Sequence, residues 1–270
     1  MKHLFLSLLS FLLLLSCSKS DDNENTSPTS TNSLPVKTTH KNANGILLQT
    51  STLTYNNQKR LSKLVIVDQN PNLSAVHTFS YESGKITQII DWADATKPLE
   101  KHIYFYDSNG MKKEEEYQNN ALVYIYDWYY RTDGGKERRI KSASSGNLLC
   151  TLYYRFSATG NIERYLFDYV DPTEEDIEYT FSNYDNKIRA IASLINNAMP
   201  SILLGFNGTN LPAPNNPQAY TYKSLTTGNI ISSSTIEYTY NNKDQVTVMK
   251  IKNAASGALL ETRTIEYQEF

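Results

Sequence analysis

Imidazoles and carboxylates are the side chains that could do chemistry in this 270-residue chain, and they fall in few places. Of four histidines, His3 lies in an N-terminal apolar leader and His40 in a polar stretch. His77 and His102 remain. Each stands four residues before an aromatic, Tyr81 or Tyr106, so a repeat places them at equivalent positions. Equivalent strands of successive hairpins lie roughly 9.5 Å apart. A shared metal needs bonds of about 2 Å. The two imidazoles are therefore expected as ladder positions, with no metal and no cofactor.

Two acidic groups follow: Glu114-Glu115-Glu116, and Asp168, Asp171, Glu174, Glu175 and Asp176. A glycosidase needs two carboxylates about 5 to 9.5 Å apart across a cleft, and the second group has the oxygen ligands a Ca²⁺ ion takes. Solvated turns are the simpler reading of both. Lys112-Lys113 beside Glu114 reads likewise as a solvated strand face. No His-Glu-x-x-His, Cys-x-x-Cys, Gly-x-Ser-x-Gly or phosphate-binding Gly loop occurs, so metalloprotease, zinc-ribbon, α/β-hydrolase and nucleotide-binding readings lose support. No catalytic residue is expected.

The two cysteines have different chemistry. Met1-Lys2-His3 leads into an apolar run, Leu4 to Leu15, too short to span a hydrocarbon core. It reads as a signal peptide, 1–16. The run ends in Leu14-Leu15-Ser16-Cys17, which resembles a lipobox, making Cys17 the expected lipidation site. Several acyl chains on one Cys give a stable membrane anchor. Cys150 then has no disulfide partner; it alternates with Leu152, Tyr154 and Phe156, as an inert strand residue would.

Residues 17–44 read as a lipidated Cys and a disordered tether, because Ser, Thr, Asn, Asp, Lys and Pro dominate and little apolar surface is available to bury. Ser18-Lys19-Ser20-Asp21-Asp22-Asn23-Glu24 resembles the short acidic tag of Bacteroidota-type surface lipoproteins. Surface display on the outer membrane is expected, with its periplasmic face as the alternative. Lys+Arg 26 against Asp+Glu 28 leaves no electrostatic footprint for nucleic acid.

What must position any site is a repeat. Ile236-Glu237-Tyr238-Thr239-Tyr240 nearly duplicates Ile177-Glu178-Tyr179-Thr180-Phe181, and Ile265-Glu266-Tyr267 begins the phrase again. The aromatics Tyr55, Tyr81, Tyr106, Tyr130, Phe156 and Phe181 recur about every 25 residues, each followed by a turn. A second turn type lies between them, in Ser145-Gly146-Asn147, Thr227-Gly228-Asn229 and Ser256-Gly257-Ala258. Each period thus holds two strands and two turns. The alternation Ile236/Tyr238/Tyr240 against Glu237/Thr239 marks an antiparallel sheet apolar on one face. The expectation is all-β: one domain, 45–270, an antiparallel meander on the order of sixteen strands forming a large twisted or curled sheet that could close partly into a barrel or sandwich.

Tyr outnumbers Phe 20 to 9. Tyr81, Tyr106, Tyr130, Phe156 and Tyr240 are the candidate ligand-binding aromatics, as a platform for stacking sugars; the alternative is a tyrosine ladder that holds the sheet. One stretch breaks the period. Ile188, Ile191, Ala192 and Ile195 fall at helical spacing before Pro200, which predicts a short helical insertion near 187–199, followed by an irregular loop over 207–217.

The Tyr-x-Tyr-Asp/Asn-x-x-Gly phrases resemble the YD-type repeats of RHS proteins, and the chain more closely resembles Bacteroidota lipoproteins of the DUF4595 type. The resemblance rests on Tyr184 to Ile188, Leu203 to Gly205 and Asn215 to Pro217; Arg189-Ala190-Ile191 stands where that family has Asn-Pro-Phe. It implies an all-β surface or periplasmic lipoprotein and brings no catalytic residues. The functional expectation is a membrane-anchored, non-enzymatic β-repeat domain binding a glycan or surface protein. A glycoside-processing enzyme with paired carboxylates and a purely structural YD-like component are the alternatives.

Overall fold

Alternating apolar and polar residues between turn signals build strands wherever the chain is described. The computed structural model describes residues 33–71, 74–94, 97–187 and 215–270. The first eight strands are β1 (Ser33–Asn42), β2 (Leu47–Tyr55), β3 (Leu61–Asp68), β4 (Ala75–Glu82), β5 (Lys85–Asp94), β6 (Lys97–Asp107), β7 (Gly110–Gln118) and β8 (Ala121–Tyr130). The second eight are β9 (Lys136–Ser142), β10 (Leu148–Phe156), β11 (Ile162–Tyr169), β12 (Ile177–Tyr184), β13 (Pro217–Ser224), β14 (Ile230–Tyr240), β15 (Val246–Asn253) and β16 (Leu259–Glu269).

Every strand pairs antiparallel with its neighbours in sequence, and β1 also pairs with β16, from Ser33↔Glu269 to Asn42↔Glu261. The sheet is therefore a closed barrel. This corrects the expectation of a large twisted or curled sheet that closes at most partly. Twist accumulated over this many strands brings the two ends together, and pairing β1 with β16 removes both edges. The closing strand comes from the stretch that composition assigns to the tether. Ser33–Asn42 has few apolar residues, yet a strand paired on both sides obtains its hydrogen bonds from β2 and β16. Among the described residues there is no helix; the helical insertion expected near 187–199 lies outside them from Ile188 onward.

Register breaks recur. A shift precedes Tyr55, Tyr81, Tyr106, Phe156 and Tyr240, each at the end of an even-numbered strand. A bulge re-aims the side chain beside it, and here Tyr55, Tyr81, Tyr106 and Phe156 pack onto the core. The short turns that follow need a left-handed residue. Lys59 (φ 59°) and Asp244 (φ 59°) hold the position that Gly134 (φ 80°) holds elsewhere, and Asn56 supports its turn by accepting from the backbone N–H of Gln58 and Arg60, each at 3.0 Å.

The inner face carries the core: Leu61, Leu64, Ile66, Phe79, Ile86, Ile89, Tyr104, Met111, Trp128, Leu152, Tyr154 and Ile162 are buried together. Stacked rings cross it as a ladder, Trp128 to Tyr154 at 5.8 Å, Tyr154 to Tyr165 at 5.8 Å, Tyr165 to Tyr179 at 4.8 Å and Tyr179 to Tyr222 at 4.8 Å. Such pairs contribute about 0.5 to 1.5 kcal/mol each beyond their buried area. The outer face is polar. It carries exposed Thr52, Thr54, Thr235 and Thr239 and ion pairs such as Lys141–Asp127 at 2.8 Å, Lys37–Glu266 at 3.2 Å and Arg155–Glu163 at 3.3 Å.

Candidate functional site

One sector of the inner face is ionic. Register places His77 (β4) opposite Asp91 (β5), Asp91 opposite Glu100 (β6), His102 (β6) opposite Glu116 (β7), Glu114 (β7) opposite Tyr126 (β8), and Trp128 (β8) opposite Arg138 (β9). Opposed residues share a face, so the group converges from six neighbouring strands. His77, Asp91, His102, Glu114, Glu116 and Arg138 are all buried.

Buried charges persist only when partnered, and each of these has a partner. His77 Nδ1 contacts Asp91 Oδ1. His102 Nδ1 lies 2.9 Å from Glu114 Oε1, while its Nε2 contacts Glu100 Oε1. Tyr126 donates its hydroxyl to Glu116 Oε2, and Gln118 Nε2 donates to Glu116 Oε1 at 2.9 Å. Arg138 approaches Glu114 Oε2 at 3.9 Å, with its guanidinium 5.0 Å from the Tyr126 ring centroid and 5.6 Å from that of Trp128.

The environment sets the proton affinities. Burial pulls the His102 imidazole down, but hydrogen bonds to Glu100 and Glu114 and their charges outweigh it and push its pKa up to about 10. Burial raises Glu116 above the usual carboxylate range, opposed by the Tyr126 hydroxyl. Tyr104 is raised well above the ordinary phenol value by burial and by the charges of Glu114 and Asp91 beside it. Asp91, Glu100 and His102 bring their ligand atoms within 4.8 Å of one another, and they are the group of three or more His, Cys, Asp or Glu so arranged among the described residues.

This sector was only partly visible in the sequence. His77 and His102 do hold equivalent inward positions, two strands apart. The distance argument between them passes over β5, whose Asp91 sits in the gap. Glu114 and Glu116, expected on solvated turns, are buried side chains, and only Glu115 between them turns outward, where it accepts from Lys113 at 2.7 Å. The strand alternation running from Tyr104 and Tyr126 through their partners on β7 carries that signal. His40, expected in the tether, lies on β1 with Nε2 2.5 Å from Glu261 Oε2.

Of the second acidic group, Asp168 lies on β11 opposite Thr151, and the others lie at the turn that follows. Asp171 accepts from the Thr173 backbone and hydroxyl, and Asp176 accepts from Tyr169 N at 2.8 Å. Cys150 is buried on the inner face, and burial pushes its thiol up to about 11. Cys17 lies outside the described residues.

The five candidate aromatics do not form one platform. Tyr81 donates to Leu61 O at 2.7 Å beneath Arg60, 5.6 Å from its ring centroid. Tyr106 packs on the core with Lys85 at 5.0 Å. Tyr130 donates to Met111 O at 3.0 Å, and Lys136 covers both Tyr130 and Phe156 at 5.7 and 5.3 Å. Tyr240 donates to the Asp185 carboxylate. A cation over the ring at Tyr81, Tyr106, Tyr130 and Phe156 acts as a packing device.

No protein-family model matches the chain, and no curated protein does. Among solved structures, a porin-like protein from Bacteroides uniformis matches with a TM-score of 0.50 at 17% identity, over 87% of this chain and 96% of that one. A porin-like protein from Bacteroides vulgatus matches with a TM-score of 0.48 at 12% identity, over 88% of this chain and all of that one. A chain of the Photorhabdus luminescens Tc holotoxin pore matches at 0.32 and 10% identity, over 84% of this chain and 13% of that one. What the Bacteroides uniformis protein shares with this chain is the fold.

Proposed function

We propose that the chain is an outer-membrane lipoprotein, tethered through Cys17, whose barrel stands in water as a non-catalytic module and presents one rim to a protein partner. The resemblance to DUF4595-type Bacteroidota lipoproteins and the signal and lipobox pattern support the anchor. The polarity of the wall supports a barrel outside the lipid. A membrane barrel turns an apolar band outward, and a Lys or Arg facing the bilayer midplane costs about 2 to 4 kcal/mol. Here the buried apolar and aromatic side chains form the inner core, and the outer wall, which also exposes Val67, Phe105 and Tyr129, carries Lys141, Asp127, Arg155 and Glu163. No helix among the described residues is long and apolar enough to cross a membrane.

The observation that carries the partner is the rim at which β1 ends. Ile46, Leu47, Leu149, Ile230, Ile231 and Leu260 are all exposed there, up to 64% for Ile230, at the starts of β2, β10, β14 and β16. Ile230, Ile231, Leu260, Ile46 and Leu47 lie on alternate strands of the arc β14–β15–β16–β1–β2, with Leu149 on β10 apart from them, and exposed aliphatic residues along one stretch of rim support an interaction surface. β1 begins at the opposite rim, at Ser33. Aliphatic rather than aromatic side chains favour a protein over a glycan. The interior carboxylates disfavour the glycosidase reading, because Glu114, Glu116 and Asp91 are enclosed and already engaged.

Two measurements test this. Cys17→Ala should lose acyl labelling and leave the membrane fraction; retention of both overturns the anchor. A photocrosslinker at Ile231 should give an adduct with one protein, identifiable by mass, that disappears in Ile230→Asp and is missing when the crosslinker sits at Thr239 on the outer wall. Equal adducts from both positions, or an adduct with glycan, overturns the protein-binding rim.

A further inference from the structure

The contact between His102 Nε2 and Glu100 raises the question of what sits between them. Glu114 receives the Nδ1 side of the ring at 2.9 Å. A carboxylate in that position fixes the tautomer with the proton on Nδ1 and leaves the Nε2 lone pair directed outward, an arrangement typical of metal-bound histidine. That lone pair faces Glu100 Oε1, with an Asp91 oxygen within 4.8 Å of both. A ring nitrogen facing two carboxylates needs a positive centre among them: a proton there gives the imidazolium described above, and a metal ion would take that proton's place.

Two further observations point the same way. Asp91, Glu100, Glu114 and Glu116 bring four carboxylates to the inner face, against Arg138 and the imidazolium of His102 as cations. The Tyr104 hydroxyl, in a side chain only 3% exposed and beside Glu114 and Asp91, has no hydrogen-bond partner. Leaving a buried hydroxyl so is unfavourable, because its lost hydration is not replaced. A water on a bound ion would supply its acceptor.

We infer that Asp91, Glu100 and His102 form a binding site for one divalent first-row transition ion of the zinc class, with Glu114 orienting His102 through Nδ1 and His77 orienting Asp91. One imidazole nitrogen with two carboxylate oxygens is a donor set zinc accepts, at bonds of about 2.0 to 2.2 Å. Donors in a tetrahedral shell of that size lie about 3.4 Å apart, so His102 Nε2 and Glu100 Oε1, now in direct contact, would separate by side-chain rotation to admit an ion while Asp91 approaches. Glu100, whose side chain is 31% exposed, is the member that meets solvent and lies on the entry route. The bound ion would fasten β5 to β6 from inside. The site is independent of how the protein is anchored and of what its rim binds.

The test is calorimetric titration of ZnCl₂ into the full-length protein, purified in detergent and stripped with a chelator. Wild type should bind one equivalent. Glu100→Gln, at the solvent edge of the cluster where folding is least at risk, should weaken binding at least tenfold. Glu114→Gln should weaken it 10- to 100-fold, the usual effect of losing such an orienting group. His40→Gln, paired with Glu261 on β1, should not change it. Co²⁺ added to wild type should give the visible absorption of a nitrogen and oxygen ligand set, and Glu100→Gln should alter it. No stoichiometric binding by wild type, unchanged affinity in Glu100→Gln, or loss of binding in His40→Gln overturns the site.

Discussion

The phenol hydroxyl of Tyr81, at the end of β4, donates to the carbonyl oxygen of Leu61, the first residue of β3, at 2.7 Å and 20 residues earlier in the chain. The same bond recurs from Tyr55 to Pro35, Tyr130 to Met111, Tyr184 to Ile162, Tyr238 to Pro217 and Tyr267 to Val246. Leu61, Met111, Ile162 and Val246 each flank a register shift. A bulge leaves backbone groups outside the ladder, and the tyrosine supplies the donor. On β2, β4, β8, β12, β14 and β16 the tyrosine thereby latches the hairpin to the strand before it.

Removing one latch should cost about 1 kcal/mol, the usual net worth of such a bond. For a domain of this size that is about 2 to 4 °C in Tm. Tyr81→Phe should show this loss in thermal or urea unfolding. Tyr106→Phe is the internal contrast, because the Tyr106 hydroxyl is buried with no partner; that substitution should be neutral or slightly stabilising. Equal losses in both would mean that the rings, not the bonds, carry the effect.

The latch explains what could be read in the sequence and what could not. The spacing of Tyr81, Tyr106, Tyr130 and Phe156 is a local property, so hairpin order and turn positions are visible in one dimension. Closure is not, since it depends on Ser33–Asn42 meeting Leu259–Glu269 from the far end of the chain. Thr38, Thr39 and Lys41 look like tether, because a strand with both neighbours in place needs little apolar content of its own. Glu114 and Glu116 mislead for a related reason. Carboxylates suggest solvent unless their cross-strand partners are known, and those partners, His102 and Tyr126, lie on different strands.

The ionic sector should make the chelator-treated protein pH-sensitive in one direction. The His102 pKa is about 10 in the folded barrel, against 6.5 when unfolded. Its contribution is therefore fully present below pH 6.5 and is lost as pH rises through 10. Glu116, raised by burial, acts in the same sense from lower pH, since its folded state also holds the proton more tightly. Urea midpoints measured in chelator should fall between pH 6.5 and 10 in wild type, and fall less in His102→Gln. A midpoint that rises over that window would contradict the assigned pairing.

Cys150 offers a readout of barrel integrity. Its thiol is buried, and burial raises it to about 11, so at pH 8 it is neither accessible nor ionised. In a Cys17→Ala background it is the remaining thiol. A chromogenic disulfide reagent should leave it unmodified in native buffer and react with one equivalent in guanidinium. Rapid reaction of the native protein would show that the inner face opens on the timescale of the assay.

Gly110 and Tyr130 should be coupled. Gly110 begins β7 at φ +125°, and a Cβ there would lie 2.5 Å from the Tyr130 hydroxyl. That hydroxyl is held on Met111 O at 3.0 Å, so it cannot retreat without breaking a latch. Gly110→Ala therefore combines left-handed backbone strain of about 1 to 3 kcal/mol with the loss of that bond. Tyr130→Phe alone should cost about 1 kcal/mol. In the double variant the phenol oxygen is gone, the contact relaxes to the ring carbon at 3.2 Å, and the bond cannot be lost twice. The double variant should thus be more stable than the sum of the single losses by about 1 kcal/mol. A double-mutant cycle in urea that returns simple additivity would place the whole cost of Gly110→Ala in the backbone, and would separate the turn from the latch.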